Sequence, residues 1–142
     1  MANNWKGYFF KATATNKIFP MKYIAFESWE SSPNQREEVK AYRDDVTREL
    51  FRITADGEMS TFSFTTRDNL HLDEKIEIQQ FFYNAETSHK QRNIMLEYWN
   101  EEINNYETKL FYQPNPTFQI KRVTDTDIIY KERKIELIQV KE

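Results

Sequence analysis

Hydrophobic and polar positions alternate over much of this chain, which is the pattern of strands with one buried face. Residues 94–99 alternate in this way, and similar runs over 108–112, 117–123 and 128–140 predict further strands. The charged run 131–134 interrupts the last of these, so we expect a bulge or bend there. The second half of the chain therefore predicts an antiparallel meander of four strands.

The first half predicts a strand followed by a long connection. Residues 21–29 alternate and follow Pro20, which suits the start of a strand or a sheet edge. The residues of 31–34 are typical of a turn and end this strand. We therefore expect 30–44 to be a long inter-strand loop, although apolar spacings of three and four over 36–53 are also compatible with a helix.

A hairpin is predicted around the pair Asp56-Gly57. This dipeptide lies between two runs rich in strand-forming residues, 45–54 and 58–67. A two-residue turn of type I′ needs positive φ at both central residues, and Asp-Gly meets that requirement well. We therefore expect 45–54 to pair with 58–67 across this turn.

A single helix is predicted over 69–83. Asp73 and Glu74 fall in its first turn, where carboxylates interact favourably with the helix dipole. A strand is the competing interpretation, because several apolar residues of this segment occupy even-numbered positions. The acidic start and two adjacent glutamines in the middle of the segment favour the helix.

Together these elements predict a mainly β protein with one helix. We expect an antiparallel split β-barrel or sandwich flanked by a single α-helix, because one helix among antiparallel strands packs over an opening or an edge. The length fits a single domain over 1–142. Residues 1–16, which precede the first predicted strand, form a candidate N-terminal arm.

Composition restricts the class of protein further. Of 142 residues, 39% are hydrophobic and 15% aromatic, which is enough for a sizeable core and argues against intrinsic disorder. No apolar run reaches the roughly 18 residues of a membrane-spanning helix. The first six residues lack the apolar core of a signal peptide. Cysteine is absent, which excludes disulfides, thiolate metal sites and a cysteine nucleophile. The net charge of −3 argues against a dedicated nucleic-acid binder.

The sequence offers no constellation of catalytic or ligand-binding residues. The two histidines, His71 and His89, lack a metal-ligand spacing, and Gly7 and Gly57 are too few for a phosphate-binding loop. Residues 124–127 predict a turn, because the glycine and distal glutamate of a calcium loop are missing. Adjacent acids are expected on a solvated surface, since neighbours in a strand point to opposite faces; they are Glu37-Glu38, Asp44-Asp45, Asp73-Glu74 and Glu101-Glu102. We therefore expect no catalytic residue, no metal ligand and no cofactor.

The N-terminal segment combines aromatic and basic side chains. The first 26 residues carry four lysines and no acid, whereas 27–49 carry seven acids and four bases. This asymmetry favours head-to-tail contact between copies, although an ordinary solvated surface is the simpler interpretation. Packing on the fold or on a neighbouring subunit is favoured over stacking on single-stranded nucleic acid. The residues expected at an interface are Trp5, Tyr8, Phe9, Phe10, Trp29, Arg36, Tyr42 and Arg43.

Seven short stretches between residues 17 and 140 carry a resemblance to known proteins. They read AYRD at 41–44, TRELFRI at 47–53, FSFTT at 62–66, IMLEYWN at 94–100, FY at 111–112, FQI at 118–120 and IELI at 135–138. In their order and residue pattern, they resemble small virion structural proteins encoded among the tail genes of long-tailed bacteriophages. The members concerned are tail-tube, distal-tail and tail-hub or baseplate components.

This resemblance implies a structural protein and not an enzyme. It implies a split β-barrel or sandwich with one helix, and a long loop that reaches the neighbouring subunit. It also implies assembly into rings with copies of the chain and contacts with other tail proteins. No cofactor, specific nucleic acid or membrane is implied, and the expected location is the virion tail, after synthesis in the host cytoplasm. We also expect residues 1–16 and 30–44 to become ordered on assembly.

Two other functions stay open from the residues alone. A ligand-binding β-barrel, acting as a carrier or a small enzyme, would use the aromatic side chains to line a pocket. A host-directed inhibitory protein would bind its partner through the acidic segment, in a salt-sensitive way.

Overall fold

The computed structural model describes residues 3–35, 38–43, 46–54 and 59–140, with the backbone alone for 38–43 and 50–54. The described residues form one α-helix, α1 Leu72–Ala85, and one turn of 3-10 helix at Met21–Tyr23. The strands are β1 Phe10–Ala12, β2 Lys17–Ile18, β3 Glu30–Gln35, β4 Glu38–Arg43, β5 Leu50–Thr54, β6 Met59–Thr65, β7 Leu70–His71, β8 Glu86–Ser88, β9 Asn93–Asn100, β10 Asn105–Tyr112, β11 Ile120–Val123, β12 Ile128–Tyr130 and β13 Lys134–Gln139.

The described strands form one large antiparallel sheet and two small ones. The large sheet has the order β2-β1-β9-β10-β13-β6-β3, and β8 pairs with the start of β9. Strands β11, β12 and β7 form a second sheet, and β4 pairs with β5 in a third. The large sheet is open, because its end strands β2 and β3 do not pair with each other. The expected class, mainly β and antiparallel with one helix, is confirmed in a sandwich-like form and not as a closed barrel.

Strict alternation along β9 builds the centre of the core. Its buried residues alternate with half-buried ones, and Ile94, Leu96 and Tyr98 all point inward. Strand β10 pairs with the whole length of β9, from Asn93↔Tyr112 to Asn100↔Asn105. The helix covers this core with four buried residues, Ile78, Phe81, Phe82 and Ala85. The alternation predicted for 94–99 is therefore confirmed.

The predicted helix is confirmed, with its bounds shifted to α1. Glu74 in its first turn accepts a hydrogen bond from the backbone N–H of His71 at 3.3 Å. Asp127 accepts one from the backbone N–H of Leu72 at 3.2 Å, and its other carboxylate oxygen lies 2.5 Å from Nδ1 of His71. Hydrogen bonds from His71, Leu72 and Ile128 hold the pKa of Asp127 below its usual value. A carboxylate from a distant turn therefore caps the start of the helix.

The strand predicted over 21–29 is wrong. The segment forms the 3-10 turn Met21–Tyr23, and then a tight turn in which Ser28 N donates to the carbonyl of Ala25 at 3.2 Å. Tyr23 is buried, and its hydroxyl donates to the carboxylate of Glu77 on α1. The apolar residues in this segment therefore serve separate contacts instead of one face of a strand.

The long loop predicted over 30–44 is also wrong for the described part of that range. Strands β3 and β4 occupy it, and the turn-like residues of 31–34 lie inside β3. The ladder with β6 changes register between Ser32 and Gln35, and Asn34 has a φ of 53°. Pro33 has no N–H to donate, so a bulge in an edge strand accommodates it without a lost ladder bond.

The strands of the predicted hairpin exist, but their pairing was predicted wrongly. Strand β5 pairs with β4, from Arg43↔Leu50 to Glu38↔Thr54, whereas β6 pairs with β3 and β13. The chain therefore reverses between β4 and β5. Asp56-Gly57 lies outside the described residues.

The described part of the N-terminal segment belongs to the fold of the chain itself. Strand β1, which the sequence did not predict, pairs with β9 through Phe10↔Tyr98 and Ala12↔Leu96. Phe10 and Ala12 are 0% exposed, and the Phe10 ring stacks on that of Phe19 with centroids 4.8 Å apart. The candidate N-terminal arm is therefore anchored in the large sheet.

The break predicted in the last strand is confirmed and larger than expected. Strand β12 belongs to the small sheet with β7 and β11, whereas β13 crosses into the large sheet between β10 and β6. Arg133 lies at this crossing, where its backbone N–H donates to the hydroxyl of Thr66 at 2.9 Å. The turn predicted at 124–127 is also present, closed by a bond from Thr124 N to the carbonyl of Asp127 at 2.9 Å.

Candidate interaction surface

An aromatic cluster joins the N-terminal segment to the outer faces of β9 and β10. Trp5 lies edge-on to Phe9 and to Trp99, with ring centroids 5.3 Å and 5.2 Å apart, and 6.3 Å from the ring of Tyr106. Phe9 stacks on Trp29 at 4.2 Å. We call these five residues the aromatic cluster. Edge-to-face and offset-stacked pairs of this kind fix the ring positions relative to one another.

Hydrogen bonds hold the N-terminal segment in place beneath this cluster. The hydroxyl of Tyr8 donates to Oε1 of Glu97 at 2.6 Å, and the hydroxyl of Tyr106 donates to the carbonyl of Tyr8 at 2.7 Å. The backbone N–H of Lys6 donates to the Tyr106 hydroxyl at 3.1 Å. Burial, together with the bond to Glu97, raises the pKa of Tyr8 well above its usual value. The segment therefore presents its aromatic side chains from a fixed backbone.

The eight residues predicted at an interface fall into three groups. Phe10 is buried in the core, and Tyr8 is buried against Tyr106 on the outer side of the sheet, with ring centroids 4.8 Å apart, so both side chains stabilise this chain. Trp5 is 39% exposed, and Phe9 and Trp29 are half-buried beside it. The remaining three lie elsewhere in the chain: Tyr42 and Arg43 belong to β4 by their backbone, and Arg36 lies outside the described residues.

Sequence reasoning missed Trp99 and Tyr106 as members of this surface. Both lie opposite each other in the β9–β10 ladder, in the register Tyr106↔Trp99. The signal was present, because alternation that sends Tyr98 into the core sends Trp99 to the outer face. Which distant segment covers that face could be known only from the pairing of β1 with β9.

Several apolar side chains elsewhere are exposed on turns and edge strands. Phe26, at the tip of the turn before β3, is 92% exposed. Ile18 lies on the edge strand β2, and Ile120 and Val123 lie on β11, the edge of the small sheet, where every residue is exposed. Edge strands carry backbone donors and acceptors that a neighbouring strand can pair with.

The histidines and the adjacent acids take ordinary structural positions. His71 contacts Asp127 as described, and His89 bonds to Glu86 at 2.7 Å through Nδ1 and stacks on Tyr83 at 4.2 Å. Of the adjacent acids, Asp73-Glu74 lies in the first turn of α1 and Glu101-Glu102 in the exposed β9–β10 turn. The structure describes Glu38 by its backbone, and Glu37 and Asp44-Asp45 lie outside the described residues. Within the described ranges, no three His, Asp or Glu residues converge as metal ligands do. No helix in the described part of the chain is long and apolar enough to cross a membrane.

The fold and this surface define an antiparallel β-sandwich with one helix, open sheet edges and exposed aromatic side chains. The chain belongs to DUF6711, a family of unknown function, whose model matches residues 1–140. No curated protein matches it significantly. Among solved structures, it is similar to a chain in the tail of an empty GTA (gene transfer agent) particle. The structure of that tail was computed with helical refinement and C6 symmetry. The TM-score is 0.55 at 11% identity, over 99% of this chain and 96% of that one, so the two share a fold.

Proposed function

We propose that this chain is a structural protein of a phage-like tail, where it forms rings with copies of itself and contacts other tail proteins in the virion. The observation that carries the proposal is the fold shared with a tail chain of the gene transfer agent over 99% of this chain. Correspondence from end to end means that the whole fold is shared, and not one common motif. A tail with helical order and C6 symmetry repeats the same contacts along its length, which favours the tail tube among the three tail components.

The open sheets of this chain suit a repeated contact. A ring needs two different surfaces on each subunit, so that one surface meets the other on the next copy. The two ends of the large sheet, β2 and β3, are different edge strands with unpaired backbone groups. The β4–β5 sheet, which pairs with no other described strand, offers a third surface.

Light scattering after size-exclusion chromatography and negative-stain electron microscopy of the full chain test the proposal. We expect rings that grow in number with concentration. As a matched variant, residues 36–58 are replaced by a short Gly-Ser link, which keeps β3 next to β6 because Gln35 already pairs with Met59. This variant should fold and form fewer rings than the full chain at the same concentration, because it lacks one of the three surfaces.

Two results would contradict the proposal. One is a folded chain that remains monomeric at every concentration, alone and with extracts of tail proteins. The other is tight binding of an apolar dye or a small ligand by a solitary monomer, which would favour the ligand-binding alternative.

A further inference from the structure

Arg133 is a partly buried cation with no acidic partner among the described residues. Burial lowers its pKa, and among the described residues no carboxylate forms an ion pair with it. Its guanidinium lies over the ring of Phe118, 4.7 Å from the centroid. Lys75 lies 4.5 Å from the same centroid, and the nearby charge of Arg133 adds to burial in lowering its pKa. Buried charges are normally paired, so this position calls for an anion from outside the chain.

The guanidinium borders an open crevice between α1 and the segment that links β10 to β11. The crevice has a volume of about 340 Å³ and is lined by Ile76, Phe82 and Tyr83 of the helix together with Phe118, Arg92 and Arg133. Its one acidic residue, Glu86, has a side chain only 5% exposed, and Nδ1 of His89 already bonds to it. The walls also carry the amides of Gln79, Gln80 and Gln113, and neither arginine forms an ion pair among the described residues. A crevice of this size and lining fits an aromatic or aliphatic side chain that carries a neighbouring carboxylate.

The turn before β3 carries such a pair of side chains. Phe26 is 92% exposed and makes no aromatic contact among the described residues, and Glu27 beside it is exposed and forms no ion pair there. Glu27 has a φ of 63°, a left-handed conformation that side-chain-bearing residues seldom adopt. Strained turns persist where the surrounding structure fixes them, and they occur often at binding sites.

The turn is held rigidly against β6. Ala25 N donates to the carbonyl of Thr65 at 2.8 Å, and the hydroxyl of Ser28 donates to the carbonyl of Ala25 at 2.7 Å. A side chain presented from a rigid backbone loses little conformational entropy when it is bound. Phe26 is therefore placed to act as a preformed anchor.

We propose that Phe26 and Glu27 of one copy dock into the crevice of a second copy, with the phenyl ring against Phe118 and Tyr83 and the carboxylate on Arg133. This inference rests on the proposed function, because it names the surfaces through which copies of the chain meet. It pairs an exposed aromatic side chain with an apolar crevice, and an unpaired acid with an unpaired base.

The two surfaces do not meet within one chain. At the end of β6, the backbone N–H of Thr66 donates to the carbonyl of Arg133 along one edge of the strand. Along the opposite edge, the backbone N–H of Ala25 donates to the carbonyl of Thr65. The turn and Arg133 are therefore separated by about two strand spacings, roughly 10 Å. The exposure of Phe26 shows that its ring does not reach the crevice. The contact is heterologous, which is the type that builds rings and filaments.

Sedimentation velocity of the full chain over a concentration series tests the docking. Phe26→Ser and Glu27→Gly are suitable variants, because one replaces an exposed ring and the other suits the left-handed backbone, so neither should lower the melting temperature. Each should weaken self-association at least tenfold. Glu101→Arg, a charge reversal in the exposed β9–β10 turn, is the control and should leave self-association within threefold of the wild type. The charge exchange Glu27→Arg with Arg133→Glu should associate more tightly than either single variant.

Each outcome separates the docking from the proposed function. If the wild type forms rings and Phe26→Ser and Glu27→Gly form them equally well, the docking is overturned and the tail function stands. Weakened rings without rescue by the charge exchange would assign the turn to an interface but overturn its pairing with Arg133. A wild-type chain that never self-associates would overturn both.

Discussion

The hydroxyl of Tyr98 donates a hydrogen bond to the hydroxyl oxygen of Ser60 at 2.9 Å, inside the core where β9 faces β6. The same Ser60 oxygen accepts from the backbone N–H of Asn34 at 2.9 Å, and Ser60 N donates to the side-chain carbonyl of Gln139 at 2.8 Å. The side-chain amide of Asn100 donates hydrogen bonds to Oδ1 of Asn34 and to the hydroxyl oxygen of Tyr98. This buried network holds the bulge in β3 at Asn34.

Ser60→Ala should destabilise the fold by about 1–3 kcal/mol, because it leaves the Tyr98 hydroxyl and the Asn34 N–H buried without their acceptor. Urea unfolding followed by circular dichroism measures the loss. Ser32→Ala, at an exposed position in the paired strand β3, is the control and should change the free energy of unfolding by less than about 0.5 kcal/mol. Equal effects of the two substitutions would argue against a structural role for the network.

Phe10→Ala should destabilise the fold by about 3–5 kcal/mol, because a fully buried ring at the centre of the core is lost. The same substitution at Phe26, which is 92% exposed, should have an effect within about 0.5 kcal/mol. Thermal unfolding of the two variants compares the same Phe→Ala substitution at a buried position and at an exposed one. If Phe10→Ala were as mild as Phe26→Ala, the N-terminal segment would be a detachable arm and not part of the sheet.

The stabilisation from Asp127 should depend on pH. Its pKa is lower in the folded state than the value of about 3.9 in the unfolded chain. Its contribution is therefore present above that pH and is lost as the pH falls through the lower folded-state value. The difference in unfolding midpoint between wild type and Asp127→Asn should shrink from pH 6 to pH 2.5. Asp125→Asn, at an exposed position in the same turn, should show no such trend, and a constant difference for Asp127→Asn would refute the prediction.

Three tyrosines should resist ionisation in the folded protein. Burial raises the pKa of Tyr8, Tyr23 and Tyr98, and hydrogen bonds to Glu97 and Glu77 add to this effect for the first two. Because their pKa values are higher in the folded than in the unfolded state, the three protonated tyrosines stabilise the fold. This contribution is fully present below the unfolded pKa of about 10 and is lost as the pH rises further. Absorbance at 295 nm should therefore show a delayed fraction that ionises only as the protein unfolds, and Tyr8→Phe should reduce this fraction. A single ordinary transition for all tyrosines would contradict the prediction.

The accuracy of sequence reasoning followed the range of the interactions involved. The alternation of 94–99 and the acidic first turn of the helix are signals contained within a few residues, and both were predicted correctly. Strand β1 is three residues long, and its position depends on pairing with β9, which lies more than 80 residues away. Nothing in its local pattern could reveal that partner.

Errors occurred where local turn signals compete with long ladders. Pro33 and Asn34 are typical turn residues, yet the pairing of β3 with β6 absorbs them as a bulge. The pairing expected from Asp56-Gly57 is wrong, because β5 pairs with β4 across a reversal between Arg43 and Leu50. Of the residues predicted at an interface, Trp5 is exposed, whereas Tyr8 and Phe10 are buried because neighbouring strands cover them.

The sequence by itself determined the mainly β class, the single helix and which faces of the long strands are apolar, because these follow from side-chain periodicity along the chain. Only the tertiary structure decided which strands pair, which aromatic residues are buried and that Arg133 has no acidic partner among the described residues. These features depend on contacts between residues far apart in the sequence, where the pairing partner and the local dielectric are set by the packed fold.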